Sequence, residues 1–269
     1  FEQALIDLGY DDTLDDFVLT ANISGVTSLN VNAKEISDLT GIEGFTDLTI
    51  LQCSENALTA LDVSNNTALI DLRCSYNQIT SLDVSANTAL TLMWCHENQL
   101  TSLDVSNNTA LINLRFNGNQ LTSLDVSNNT ALEYLYCNDN QLTSLDVSAN
   151  TALEYLFCYD NQLTSLDVSA NTALTILRCN GNQLTSLDVS ANTALTDLRC
   201  FNNELTYLNM KNGITDQLTT FDATDNSLTC IEVNADDIDY ATANWTSGNS
   251  NIDAGVTFSE SCAVQGNPD

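Results

Sequence analysis

Residues 69–89 read Leu69-Ile-Asp-Leu72-Arg-Cys74-Ser-Tyr-Asn77-Gln-Ile79-Thr-Ser-Leu82-Asp-Val84-Ser-Ala-Asn87-Thr-Ala. The same 21-residue string, with few changes, begins again at Leu90, Leu111, Leu132, Leu153, Leu174 and Leu195. A fixed period of this kind marks a repeat array, in which each unit buries its apolar side against its neighbours. The first half of the unit puts Leu72 and Cys74 on one side of a short strand and Asp71, Arg73 and Ser75 on the other. Equivalent strands are expected to pair in parallel about 4.8 Å apart, as a curved sheet with the outward side chains on its concave face. The second half, such as Leu100-Thr-Ser-Leu103-Asp-Val105, is expected to return as a short irregular or extended convex side. Leu100, Leu103 and Val105 then face the core.

Outside this stretch the pattern loosens. Val26 to Ile36 and Leu48 to Leu58 fit L-x-x-L-x-(L/C)-x-x-N-x-L with Lys34 in one Asn position. The unit from Leu195 to Leu218 is 23 residues long, and the last unit, from Leu218, carries Phe221 in place of the core Leu. Four regions follow: an N-terminal cap at 1–25, about ten repeats at 26–229, a C-terminal cap at 230–262, and a tail or linker at 263–269. In the first cap, Phe1, Ala4, Leu5 and Leu8 have helical spacing, with Gly9 as the stop. A second short helical turn is expected between Asp12 and Leu19.

The repeat resembles the leucine-rich repeat family, in its short 21-residue bacterial class, where L-x-x-L-D-V-x-x-N forms a nested half-repeat. The cap segments, with the block Cys230…Asn244-Trp245-Thr246…Cys262, look similar to those of exported surface proteins of Bacteroidetes. The resemblance implies a right-handed solenoid, a non-catalytic role, and protein recognition or adhesion in an extracellular or cell-surface setting.

Composition points the same way. Lys and Arg number 6 against 36 Asp and Glu, for a net charge of -30. That disfavours nucleic acid and anionic membrane surfaces, which reward clustered cations. No apolar run reaches the roughly 20 residues of a membrane span. The start at Phe1 and the tail with Pro268 are taken as the ends of a mature or trimmed piece whose export signal and further domains lie elsewhere. A monomer is expected.

Each column of the array has its own meaning. Cys53, Cys74, Cys95, Cys137, Cys158, Cys179 and Cys200 share one inward column, which Phe116 interrupts. Neighbours 21 residues apart without histidine do not make a metal site, and side chains on adjacent parallel strands do not aim at one another for disulfides. These cysteines are read as small buried hydrophobes. Cys230 and Cys262 bracket the C-terminal cap and are expected to form a disulfide. A column of Asn, from Asn77 to Asn226, is expected to satisfy backbone groups where the chain leaves each strand. Asp62, Asp83, Asp104, Asp125, Asp146, Asp167 and Asp188 form a carboxylate column. Carboxylates about 5 Å apart repel by roughly 0.8 kcal/mol per pair in water. Hydrogen bonds from the Ser two residues on are the expected offset; weak Ca²⁺ binding is the alternative, and no other cofactor or metal is expected.

The outward strand positions vary while the rest is copied. They hold Arg73, Trp94, Arg115, Tyr134, Tyr136, Tyr155, Phe157, Tyr159, Arg178 and Arg199. Aromatics and arginine are what binding hot spots favour. A solvated face is the bland account: Arg73 pairs with Asp71, Arg199 with Asp197, and Arg178 lies on Phe157. Such pairs explain the charges but not the aromatics. His96, the single histidine, lies beside Glu97 with no nucleophile or second base expected nearby. There is no phosphate loop, HExxH or GxSxG motif. The leading expectation is a non-catalytic module that binds a protein on its concave sheet. The alternatives are an anionic polysaccharide, with Trp94, Tyr136 and Phe157 stacking on sugars, and a structural spacer.

Overall fold

A computed structural model describes residues 1–262. The tail expected at 263–269 lies outside the described residues. The chain divides into two compact units, Phe1–Gln141 and Leu142–Asp269.

The first unit opens with helix α1 (Glu2–Asp7), which buries Ala4 and Leu5 and stops at Gly9, whose φ is +78°. Leu8 does not join them and is 44% exposed. The turn expected within Asp12–Leu19 does not form; the next helix is α2, one turn at Thr20–Ile23. The reason is a carboxylate distant in sequence. The Glu2 carboxylate accepts hydrogen bonds from the backbone N–H groups of Asp15, Asp16 and Phe17, so those amides are satisfied without a helix.

Strands β1 (Ser28–Asn30), β2 (Ile50–Gln52), β3 (Asp71–Arg73), β4 (Leu92–Trp94), β5 (Asn113–Arg115) and β6 (Tyr134–Tyr136) pair in parallel in chain order. From β2 the register steps by one period, Leu51 on Leu72 on Met93 on Leu114 on Leu135. The middle residue of each strand is buried, as are the Cys, Leu and Val columns apart from the partly exposed Leu124. Each such side chain contributes about 1.5–3 kcal/mol through burial.

The second unit carries β7 (Tyr155–Phe157), β8 (Ile176–Arg178), β9 (Ser186–Asp188), β10 (Asp197–Arg199), β11 (Tyr207–Asn209), β12 (Thr220–Asp222), β13 (Cys230–Glu232), helix α3 (Ile238–Asn244) and β14 (Thr257–Ser259). Strands β7, β8, β10 and β12 continue the parallel pattern. Strands β9, β11, β13 and β14 form a second parallel sheet, on the side expected to be irregular or extended. It forms where the carboxylate column ends. Asn209 replaces the repeating Asp, and its Nδ2 donates to Asp188 Oδ2 at 3.1 Å, so attraction stands where two carboxylates would repel. Phe221 and Trp245 pack at 4.2 Å between centroids, and Cys230 is bonded to Cys262 as expected.

Two features hold each unit's geometry. The Asn column works as expected: Asn98 Nδ2 donates to the Cys74 and Cys95 carbonyls while its Oδ1 accepts from Ile79 N. The residue before it is left-handed, at Glu55, Tyr76, Glu97, Gly118 and Asp139 in the first unit. Gly and Asp adopt that conformation readily, whereas Tyr76 does so at a cost that its neighbours must offset.

Candidate functional site

In the first unit, the pairing register sets Arg73, Trp94, Arg115 and Tyr136 side by side on successive strands. They stack as a ladder. The Arg73 guanidinium lies 4.3 Å from the Trp94 ring centroid, Arg115 lies 4.4 Å from the same ring, and Arg115 also lies 4.2 Å from the Tyr136 ring. Arg73 and Arg115 come from the strands flanking β4, so both faces of the indole carry a cation. Cation–π contacts of this kind contribute about 0.5–1 kcal/mol each at exposed sites.

The hydrogen bonds of the ladder come from the neighbouring outward column. Asp71 takes both Nε and Nη2 of Arg73, at 3.0 and 2.8 Å. Asn113 Oδ1 accepts from Arg115 Nε at 3.1 Å and from Trp94 Nε1 at 3.2 Å. Asn113 was legible as an outward residue, but nothing in one sequence marked it as the link between the Trp94 indole and the Arg115 guanidinium.

His96 is less isolated than its sequence suggests. Ser75 Oγ lies 2.8 Å from His96 Nδ1, and Tyr76 meets the imidazole edge-on at 5.2 Å. Ser75 is therefore not solvent-facing: it is 2% exposed, with His96 of the next unit hydrogen-bonded to its hydroxyl. A buried hydroxyl beside an imidazole does not make a nucleophile a substrate can reach, and among the described residues no carboxylate orients the ring. Burial first, and the Arg115 charge second, hold the His96 pKa below its ordinary 6.5.

The second unit handles its cations differently. Arg178 lies 4.8 Å over the Phe157 ring, as expected, and Tyr155 approaches Phe157 at 6.5 Å. Arg199 Nε reaches Asp197 Oδ1 at 3.3 Å, also as expected. Arg178 Nη2 reaches the other oxygen of Asp197 at 2.8 Å, a cross-strand pair that sequence spacing did not reveal. Tyr159 follows β7 and is half-buried, as is Tyr134 on β6.

The remaining columns are structural. The cysteines from Cys53 to Cys200 are buried and outside any disulfide, and burial pushes the thiols of Cys74, Cys137 and Cys179 up to about 12. Asp62, Asp83 and Asp104 each accept from the backbone N–H two residues on at 2.9 Å. Hydrogen bonds from Ser64 and Ser85, side chain before backbone, hold Asp62 and Asp83 below the ordinary 3.8. Among the described residues, the one group of three acids close enough to share an ion is Glu2, Asp11 and Asp15 in the N-terminal segment, not this column.

Repeat period, pairing register and buried columns together define the family. The chain is a leucine-rich-repeat protein. The sequence profile for Leucine Rich repeats (2 copies) matches residues 151–192. A functional domain of InlJ from Listeria monocytogenes that includes a cysteine ladder is 40% identical over 80% of this leucine-rich-repeat chain, with a TM-score of 0.74. The chain spans 50% of the length of that solved domain. An internalin, inlF, from Listeria monocytogenes shares the fold at 20% identity and a TM-score of 0.56, over 96% of this chain and 89% of its own. The plant peptide hormone receptor RGFR1, solved in complex with RGF2, shares it at 21% identity and 0.62, over 72% and 36%. No curated protein sequence matches. Among the described residues, no helix is long and apolar enough to cross a membrane.

Proposed function

We propose that this leucine-rich-repeat protein is a non-catalytic module, working outside the cell, that binds a protein partner on its strand face. The observation that carries the reading is the Arg73–Trp94–Arg115–Tyr136 ladder. It gathers arginine and aromatic rings on a chain of net charge -30, and it sits on the positions that vary while the buried columns repeat. Arginine, tryptophan and tyrosine are the residues whose truncation costs most at protein interfaces. The plant receptor RGFR1 was solved in complex with RGF2, which lends the fold a precedent for holding a polypeptide. The Cys230–Cys262 bond fits an oxidising compartment.

Glycan binding by ring stacking has less support. A sugar needs an open aromatic face, and in Trp94 each face lies against a guanidinium. Replacing Trp94, Tyr136, Phe157 and Arg178 together by Ala tests the reading, with wild type and variant compared on surface-protein and glycan arrays. Loss of wild-type protein captures is expected. Unchanged captures would place the site elsewhere, and glycan hits lost in the variant would favour the polysaccharide alternative.

A further inference from the structure

Lys34 and Lys211 leave four arginines among the chain's 6 cations, and all four lie on the strand face. Three have carboxylate partners: Arg73 with Asp71, and Arg178 and Arg199 with Asp197. Arg115 has none within ion-pair distance among the described residues. Its Nε is taken by a neutral amide, Asn113 Oδ1. Its flat faces are taken by Trp94 and Tyr136. The two Nη groups remain, on a plane already fixed between two rings, so little side-chain entropy is left to lose on binding.

A planar fork with its faces covered and its edge donors unused matches a carboxylate, which accepts two parallel hydrogen bonds. The number of charges selects among anions. A sulfated or phosphorylated polymer binds through many cations at once, and the other three arginines are already neutralised. A polyanion would also meet the repulsion of a chain at -30. One carboxylate on an otherwise uncharged stretch of polypeptide meets neither obstacle. Tyr76, 54% exposed beside His96, and half-buried Leu92 offer aromatic and apolar contact to the residues flanking it.

We propose that Arg115 is the anchor of the strand face, receiving a single side-chain or C-terminal carboxylate of a protein partner. This rests on the strand face being the protein-binding surface. The test starts from random peptides displayed with free C-termini and selected on the whole chain. Selected peptides are then made with Asp and Glu changed to Asn and Gln, or with an amidated C-terminus, to tell the two carboxylate sources apart. Their affinities are measured calorimetrically for wild type, Arg115→Met, Arg115→Lys, Arg199→Met and Tyr136→Ala.

Peptides weakened by Tyr136→Ala should carry an essential carboxylate. Arg115→Met should weaken them about ten-fold or more, Arg115→Lys less, and Arg199→Met little. Should Arg115→Met lower the melting temperature, the neutralised peptide on the unaltered chain reads the same contact from the other side. Peptides that need Tyr136 but bind Arg115→Met and wild type equally would overturn the anchor while leaving the binding face standing. A selection whose peptides ignore every strand-face variant, or that yields none, would overturn both. A heparin hexasaccharide that binds through Arg115 when no peptide does would overturn the protein carboxylate in favour of a polyanion.

Discussion

The outward arginines hold the same position on equivalent strands of the two units, yet Arg115 in the first unit is treated differently from Arg178 and Arg199 in the second. In the second unit Arg178 and Arg199 share one carboxylate, Asp197, which is 7% exposed. Their charge is offset within the protein, and only Arg178 has an aromatic neighbour among the contacts described above. In the first unit Arg115 stands between two rings and hydrogen-bonds a neutral amide. The first arrangement stabilises the strand face; the second leaves a charge for something else to meet. On β5 the first outward position carries Asn113 where β3 and β10 carry Asp71 and Asp197, and that is what leaves the Arg115 charge unmatched.

That contrast can be broken from the strongest effect downwards. Asp197→Ala removes the acceptor of two guanidinium groups and should cost about 2 kcal/mol in chemical denaturation. Asn113→Ala, which removes only an uncharged acceptor, should cost about 1 kcal/mol. Equal costs would mean that the two nodes are equally structural. A smaller effect concerns the stack. A double-mutant cycle of Arg115→Met with Trp94→Leu should return a coupling of about 0.5–1 kcal/mol. A control cycle of Arg199→Met with Phe157→Leu should return none, since β8 stands between their strands.

The smallest effect is on His96. Its folded pKa lies below 6.5, chiefly through burial and then through Arg115, so the unfolded chain takes up this proton first as pH falls. The stability linked to neutral His96 is complete above about 6.5 and declines as pH drops below it towards the folded value. In an NMR titration the wild-type midpoint should lie below 6.5, and Arg115→Met should move it upward without restoring it fully. A midpoint unmoved by Arg115→Met would show that the cation's field does not reach the imidazole.

The sequence showed the scaffold far better than the site. Leu72, Cys74, Asn77 and Val84 recur at a fixed period because each does the same job in every unit, so copying itself revealed the strands and the buried columns. The disulfide between Cys230 and Cys262 was visible because those two cysteines fall outside the copied column. Three features were not visible. The Asp12–Leu19 segment was settled by one distant carboxylate, Glu2, rather than by its own periodicity. The second sheet was legible only as irregular or extended chain, because nothing in the repeat marks which returns pair. The ladder depended on side chains one period apart reaching across strands; of such pairs only Arg178 on Phe157 was read from the sequence, and Arg178 with Asp197 was not.

The contrast between the two arginine nodes can be read directly in the side-chain Nε–Hε spectrum of the four arginines, Arg73, Arg115, Arg178 and Arg199. The probe is a selected peptide that binds the strand face. On its addition the Arg115 signal should shift and saturate with the peptide, while Arg178 and Arg199 keep the positions set by Asp197. Movement of Arg178 and Arg199 with Arg115 unchanged would contradict the account and move the site to the second unit.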